Sequence, residues 1–188
     1  MKGQLARVVE YRGGAQPRAN RNVSGAAAAI ARTTTGVNYG ETEAAGYGYT
    51  IERLYYSLDG QQVSPEKVAT GTRLVTVLKV TAFEAGGARL MVNDPLPAGF
   101  EIDNPNLLRQ GDIRALNWLD PAWAEYSEFR ADRFLAAVNQ RKGGSFELAY
   151  IVRAISPGEF HHPAATVEDM YRPQYRANTA SGRLRVTE

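Results

Sequence analysis

The 188-residue sequence contains no cysteine. That excludes disulfide bridges, a thiolate nucleophile and cysteine-ligated zinc or iron–sulfur centres. Histidine is nearly as scarce, with only the adjacent pair His161 and His162. Neighbours on an extended strand point to opposite faces, so these two do not readily chelate one ion. Glu159, Glu168 and Asp169 lie nearby but lack ligand spacing, and neither a metal nor a cofactor is expected. No apolar run approaches the roughly 18 residues that span a bilayer. The short run at residues 25–31 (GAAAAIA) follows a long polar lead and reads as a strand rather than a signal peptide. Charge of one sign is lacking too: 22 Lys and Arg stand against 20 Asp and Glu, a net +2. So small a balance gives no footprint for nucleic acid or for insertion at a membrane surface. Neither GxSxG, a phosphate loop nor a dinucleotide fingerprint occurs, and no enzymatic role is expected.

What is present points to an all-β chain. Ten tyrosines and 18 glycines accompany few long helical patterns. The organising stretch is residues 73–106. Leu74, Leu78, Val80 and Ala82 share one face of a period-2 pattern, Gly86 and Gly87 break the run, and residues 88–92 begin a second strand. Pro95 and Pro97 then withhold backbone donors, so the chain is expected to leave the sheet there, with Phe100 and Ile102 on one side of an extended segment. Asp94, Glu101 and Asp103 flank this crossover. They read as solvated loop carboxylates rather than an acid/base pair.

Strands are also expected at residues 5–11, 26–35 and 49–58, with a polar loop at 12–22 and a linker at 36–48. Residues 126–129 and 134–138 read as a hairpin turning at Arg130, Ala131 and Asp132. Residues 145–155 carry the clearest alternation, with Phe146, Leu148, Tyr150, Val152 and Ala154 on the core face. Residues 159–167 read as one extended run held at a sheet edge by Pro163. Leu184 and Val186 face inward on a closing strand. Between Asn104 and Glu125, the spacing of Ile113, Leu116 and Leu119 predicts a short helical insert, ended by Pro121. Its Trp118 and Trp123 are read as covering one end of the core. In the loop before the last strand, Met170 and Tyr171 are a soft apolar pair that could dock a partner. On the residues alone, folding back onto their own core is the favoured reading.

Four segments, in order, carry a resemblance: VNDPLPAGFEIDNPNL, YSEFRADRFLAAV, YIVRAISPGEF and VEDMYRPQYRANTASGRLRV. Together they resemble the C-terminal (MG10-type) macroglobulin domain of bacterial α2-macroglobulin-like protease inhibitors, over roughly residues 47–188. The resemblance implies an Ig-like antiparallel β-sandwich at 41–188, with residues 1–40 a remnant of a preceding CUB-like β-domain. It implies a loop of Met170, Tyr171, Arg172, Pro173, Gln174 and Tyr175 that locks the thioester domain of the parent polypeptide and shields its reactive bond. With no cysteine here, that thioester lies on other sequence. Its implied partners are the thioester and CUB-like domains of the same parent and, through the parent, target proteases, in the periplasm. The rival reading is an Ig-like adhesion or stalk repeat of a bacterial surface protein. The insert at 104–125 and the MYRPQYRA loop argue against that rival.

Overall fold

Residues 73–82 and 144–154 are two long, largely apolar stretches, and they pair with each other. In the computed structural model, β5 (Arg73–Ala82) and β10 (Gly144–Ala154) run antiparallel in register from Gly144↔Ala82 to Arg153↔Arg73. Phe146↔Val80, Leu148↔Leu78 and Val152↔Leu74 therefore lie on one face, as the alternation predicts, and Leu148, Tyr150, Val152 and Ala154 are buried. The structure describes residues 41–103, 119, 122 and 124–188. These fall within one compact unit, Tyr39–Glu188. The strands expected at 5–11 and 26–35, the remnant at 1–40, the helical insert and both tryptophans lie outside the described residues.

Every described element is a strand. β1 (Ala45–Tyr47), β2 (Tyr49–Tyr56), β3 (Gln62–Val63) and β4 (Lys67–Ala69) precede β5. β6 (Ala88–Pro95), β7 (Phe100–Ile102), β8 (Tyr126–Phe129) and β9 (Arg133–Gln140) separate β5 from β10. β11 (Gly158–His162), β12 (Thr166–Asp169), β13 (Arg176–Asn178) and β14 (Gly182–Thr187) follow. They form a six-stranded sheet in the order β1-β13-β12-β6-β9-β8, a five-stranded sheet β3-β2-β5-β10-β7, and a small sheet β11-β14-β4. The inner faces of the two large sheets meet in one core, from Leu90, Val92, Phe134 and Val138 on one side to Ile51, Leu78 and Tyr150 on the other. Leu184 and Val186 of the small sheet join the same core. This is the expected β-sandwich, and the hairpin β8–β9 appears where the sequence predicts it.

One expectation is extended and two are corrected. β5 is buried on both faces: Val75 and Val77 pack with Ile151 in a second cluster, against Leu54, Tyr56 and Leu119. The run Leu74, Val75, Thr76, Val77, Leu78 thus buries a second face besides the one that the alternation identifies. Next, the ladder continues to Pro95, opposite Arg133. A proline at the last strand position withholds a single donor, and the Leu96 amide immediately donates to the Asp132 carbonyl at 2.8 Å. Finally, the run at 159–167 is two strands in different sheets. β11 is an edge of the small sheet and Pro163 falls in the connection after it, whereas β12 lies inside the six-stranded sheet between β13 and β6.

Candidate functional site

The hairpin joining β12 to β13 is the most elaborately braced connection among the described residues. Its base closes where the Asp169 amide donates to the Tyr175 carbonyl at 3.0 Å. Pro173 presets the turn over which the Tyr175 amide reaches the Arg172 carbonyl at 2.8 Å. Asp169 is buried and does most of the holding. Its Oδ1 accepts the amides of Tyr171 at 2.9 Å and Arg172 at 3.2 Å, and its Oδ2 accepts Arg172 Nε at 2.8 Å. An aspartate that binds the amide two residues on is a short-range turn former, a signal already legible in the EDMYR string. Burial pushes this carboxyl up, but the Tyr171 amide and the Arg172 guanidinium outweigh it and hold Asp169 below the usual carboxylate range.

Arg172 extends the bracing to a second loop. Its guanidinium lies over the Tyr175 ring, 4.5 Å from the centroid, and its Nη1 reaches Glu84 Oε2 at 3.4 Å. The Tyr175 hydroxyl donates to the other oxygen of Glu84 at 3.0 Å. Glu84 sits in the turn between β5 and β6, so two hairpin ends are clasped together. The Tyr175 ring also packs against Tyr47 at 5.0 Å between centroids. Gly48 makes this possible: its φ is +77°, and a Cβ there would stand 2.2 Å from Tyr175 Cδ1.

The bracing leaves the tip itself outside. Met170 is 51% exposed and Tyr171 76% exposed, although the Met170 amide is tied to the Arg89 carbonyl at 2.9 Å. The two side chains do not fold back onto the core, which corrects the reading favoured by the residues alone. Pro173 and Gln174 are exposed, while Arg172 and Tyr175 are half-buried and serve the clasp. Sequence reasoning grouped these six residues but missed Tyr47, Gly48 and Glu84, which lie more than 80 positions upstream. A shallow depression of about 270 Å³ beside Met170 is lined by Met91, Asn93, Thr166 and Glu168.

A second polar cluster lies in the core and overturns the view of Asp94 as a solvated loop residue. Asp94 is fully buried; its Oδ1 accepts Arg53 Nη1 at 2.6 Å and its Oδ2 accepts the Tyr150 hydroxyl at 2.6 Å. Arg53 Nη2 donates to the Pro163 carbonyl, also at 2.6 Å. Burial pushes the Asp94 carboxyl above its ordinary value, opposed by Arg53 and Tyr150. Glu101 and Asp103 are the partners of Arg153 and Arg73. The histidines do point to opposite sides: His161 is exposed, whereas His162 is buried with Nε2 2.8 Å from the Tyr55 hydroxyl. Burial, with help from Arg53, pushes His162 down to about 3, so it is neutral. Among the described residues no three His, Asp or Glu side chains gather as metal ligands. These groups satisfy one another within the fold, which leaves the exposed tip as the candidate site.

Comparison with known proteins agrees with that architecture. The family model "Bacterial Alpha-2-macroglobulin MG10 domain" matches residues 48–174, through most of the tip loop. Alpha-2-macroglobulin of Escherichia coli (strain K12) is 37% identical over 140 residues, covering 70% of this chain and 8% of that protein. Salmonella alpha-2-macroglobulin reacted with methylamine superposes with a TM-score of 0.66 at 37% identity, over 80% of this chain and 10% of that one. Escherichia coli alpha-2-macroglobulin activated by porcine elastase gives 0.68 at 35% identity, over 78% and 14%. The chain therefore spans less than a tenth of the length of the curated relative it matches.

Proposed function

The chain belongs to the bacterial alpha-2-macroglobulin family, as its MG10 macroglobulin domain, and from that membership we propose that it serves a periplasmic protease inhibitor by covering a reactive thioester. Met170 and Tyr171 are the cover. They close over the bond, which is carried by the thioester domain of the same parent polypeptide, and leave it when a target protease cuts the parent. The domain performs no catalysis of its own; it sets when another domain becomes reactive.

The observation that carries this reading is the pairing of an exposed apolar tip with a rigid support. An apolar pair left in water on a mobile loop would lose rotamer and backbone freedom on docking. Asp169, Arg172 and Tyr175 meet much of that cost in advance by fixing the hairpin. An acyl thioester survives only where water and amines are kept out, and a thioether beside a phenol fills space without offering a strong nucleophile. The relatives behave in keeping with such a bond: the Salmonella protein reacts with methylamine and the Escherichia coli protein is activated by a protease. A match running through most of the tip loop sets aside the stalk-repeat alternative.

The test is the paired substitution Met170→Gly and Tyr171→Gly in the full-length parent. Burying one such side chain is worth about 1.5–3 kcal/mol. Spontaneous reaction with methylamine should therefore rise by roughly tenfold or more at 1.4 kcal/mol per decade. The β-sheet circular dichroism should not change. A wild-type rate of thioester loss would return both residues to ordinary surface packing.

A further inference from the structure

The tip is not the only apolar surface at its end of the sandwich. Tyr47 is 60% exposed and Phe83 68% exposed, and both belong to the clasp that holds the hairpin. The Phe83 amide donates to the Gly48 carbonyl at 3.0 Å, Glu84 takes the Tyr175 hydroxyl and Arg172, and Tyr47 lies on the Tyr175 ring. Aromatic side chains present about 150–250 Å² each. At these exposures Tyr47, Phe83 and Tyr171 together leave roughly 300–500 Å² exposed, shared between the tip and the clasp.

We propose that Tyr47 and Phe83 form a second docking platform, continuous with the tip, and that its occupant is the same domain of the parent polypeptide that receives Met170 and Tyr171. The proposal rests on the function proposed above and adds to it a separate set of contacts. Continuity comes from Tyr175, whose ring is the shared floor: Tyr47 packs on it, Arg172 lies over it, and its hydroxyl fixes the turn that carries Phe83. Charge selects the kind of partner. The ionic groups between the platform and the tip, Asp169, Glu84 and Arg172, are partnered among themselves. Arg176, opposite Tyr47 on β13, is exposed and puts one cation at the margin of the platform, so an incoming surface meets mainly rings, and the complementary surface is largely aliphatic or aromatic. Such a contact is weakly sensitive to salt. It also divides the labour: the platform supplies contact area that holds the partner domain, while the tip excludes water from one bond.

The two roles separate by site-specific photo-crosslinking in the native full-length parent. p-Benzoylphenylalanine replaces Tyr47, Phe83 or Tyr171, one at a time, and linked peptides are read by mass spectrometry before and after cleavage by an activating protease. The expected result is that probes at 47 and 83 link to the same domain as the probe at 171, and that all three links are lost on activation. Links from 47 and 83 to residues 1–40, to a second copy or to a separate protein overturn the platform. So do links that persist after activation, or no links at all while the probe at 171 still reports. If the probe at 171 finds no domain of the parent either, the cover reading falls with it. A functional check accompanies this. Phe83→Ser removes an exposed ring while leaving the Tyr47–Tyr175 contact and the hydrogen bonds of the clasp in place. It should speed methylamine reaction in the parent, and a wild-type rate alongside fast reaction of the tip variant overturns the platform alone.

Discussion

Replacing Arg53 by Met should reveal how much of the sandwich depends on one buried ion pair. The Arg53 side chain is 5% exposed and that of Asp94 1%, with Nη1 to Oδ1 at 2.6 Å. The pair also spans the fold: Arg53 stands on β2, Asp94 on β6 and Tyr150 on β10, so it ties the two large sheets together. Methionine keeps most of the aliphatic volume but leaves the carboxylate with a single donor, Tyr150. It also strips the Pro163 carbonyl of its partner. Removing one member of a buried pair costs about 3–5 kcal/mol, a large part of the ~5–15 kcal/mol by which a domain is stable. Urea unfolding of the 188-residue chain at pH 7 measures it. The pH dependence gives a second, independent sign. Without Arg53, burial acts on Asp94 with little opposition, so its folded pKa rises further above the unfolded value of about 3.9. The folded variant then binds more protons than its unfolded chain between those two values. Its stability consequently improves as pH falls through that window, and the deficit against wild type narrows between pH 7 and pH 5. Adding Asp94→Leu should restore part of the loss at pH 7, because no carboxylate is left buried. A loss below about 1 kcal/mol for Arg53→Met, with no change in pH dependence, would mean that water reaches Asp94 and that the ion pair does not hold the sheets.

His162 should impose an acid limb on stability. Its folded value of about 3 lies below the unfolded ~6.5, so the unfolded chain binds the extra proton between them, and stability is lost as pH falls from about 6.5 toward 3. The slope from this residue approaches about 1.4 kcal/mol per pH unit. The stability difference between wild type and His162→Gln should therefore shrink from pH 7.5 to pH 5, and a constant difference would refute the assignment. Gly48→Ala should destabilise the clasp, by about 1–2 kcal/mol for the left-handed backbone alone. It should also displace the Tyr175 ring that a Cβ would meet at 2.2 Å; unchanged urea midpoints and unshifted Tyr175 ring resonances would show that the close approach is absent.

Strand identity was largely legible from short-range pattern. The alternation from Phe146 to Ala154, the glycine pair at 86 and 87, and the turn at Arg130, Ala131 and Asp132 each operate within a few residues, and each appears as expected. The ordered motifs likewise carried the family, because a proline-bearing crossover and a turn-forming EDMYR hairpin keep their local chemistry wherever they occur. Burial of polar groups was not legible. An aspartate before a proline has the local signature of an exposed turn, and Asp94 is buried because Arg53, 41 positions away, and Tyr150, 56 positions away, converge on it. The same holds for the clasp, where Arg172 and Glu84 stand 88 positions apart. It holds as well for β5, whose second face is flanked by Ile151 of the neighbouring strand and has Leu119 packed against it, both far along the chain. Periodicity reports which face of a strand is apolar, within the reach of backbone geometry. Whether a charge finds a partner, or an apolar pair such as Met170 and Tyr171 finds cover, depends on which distant segments the sheets bring alongside, and that was settled only by tertiary packing.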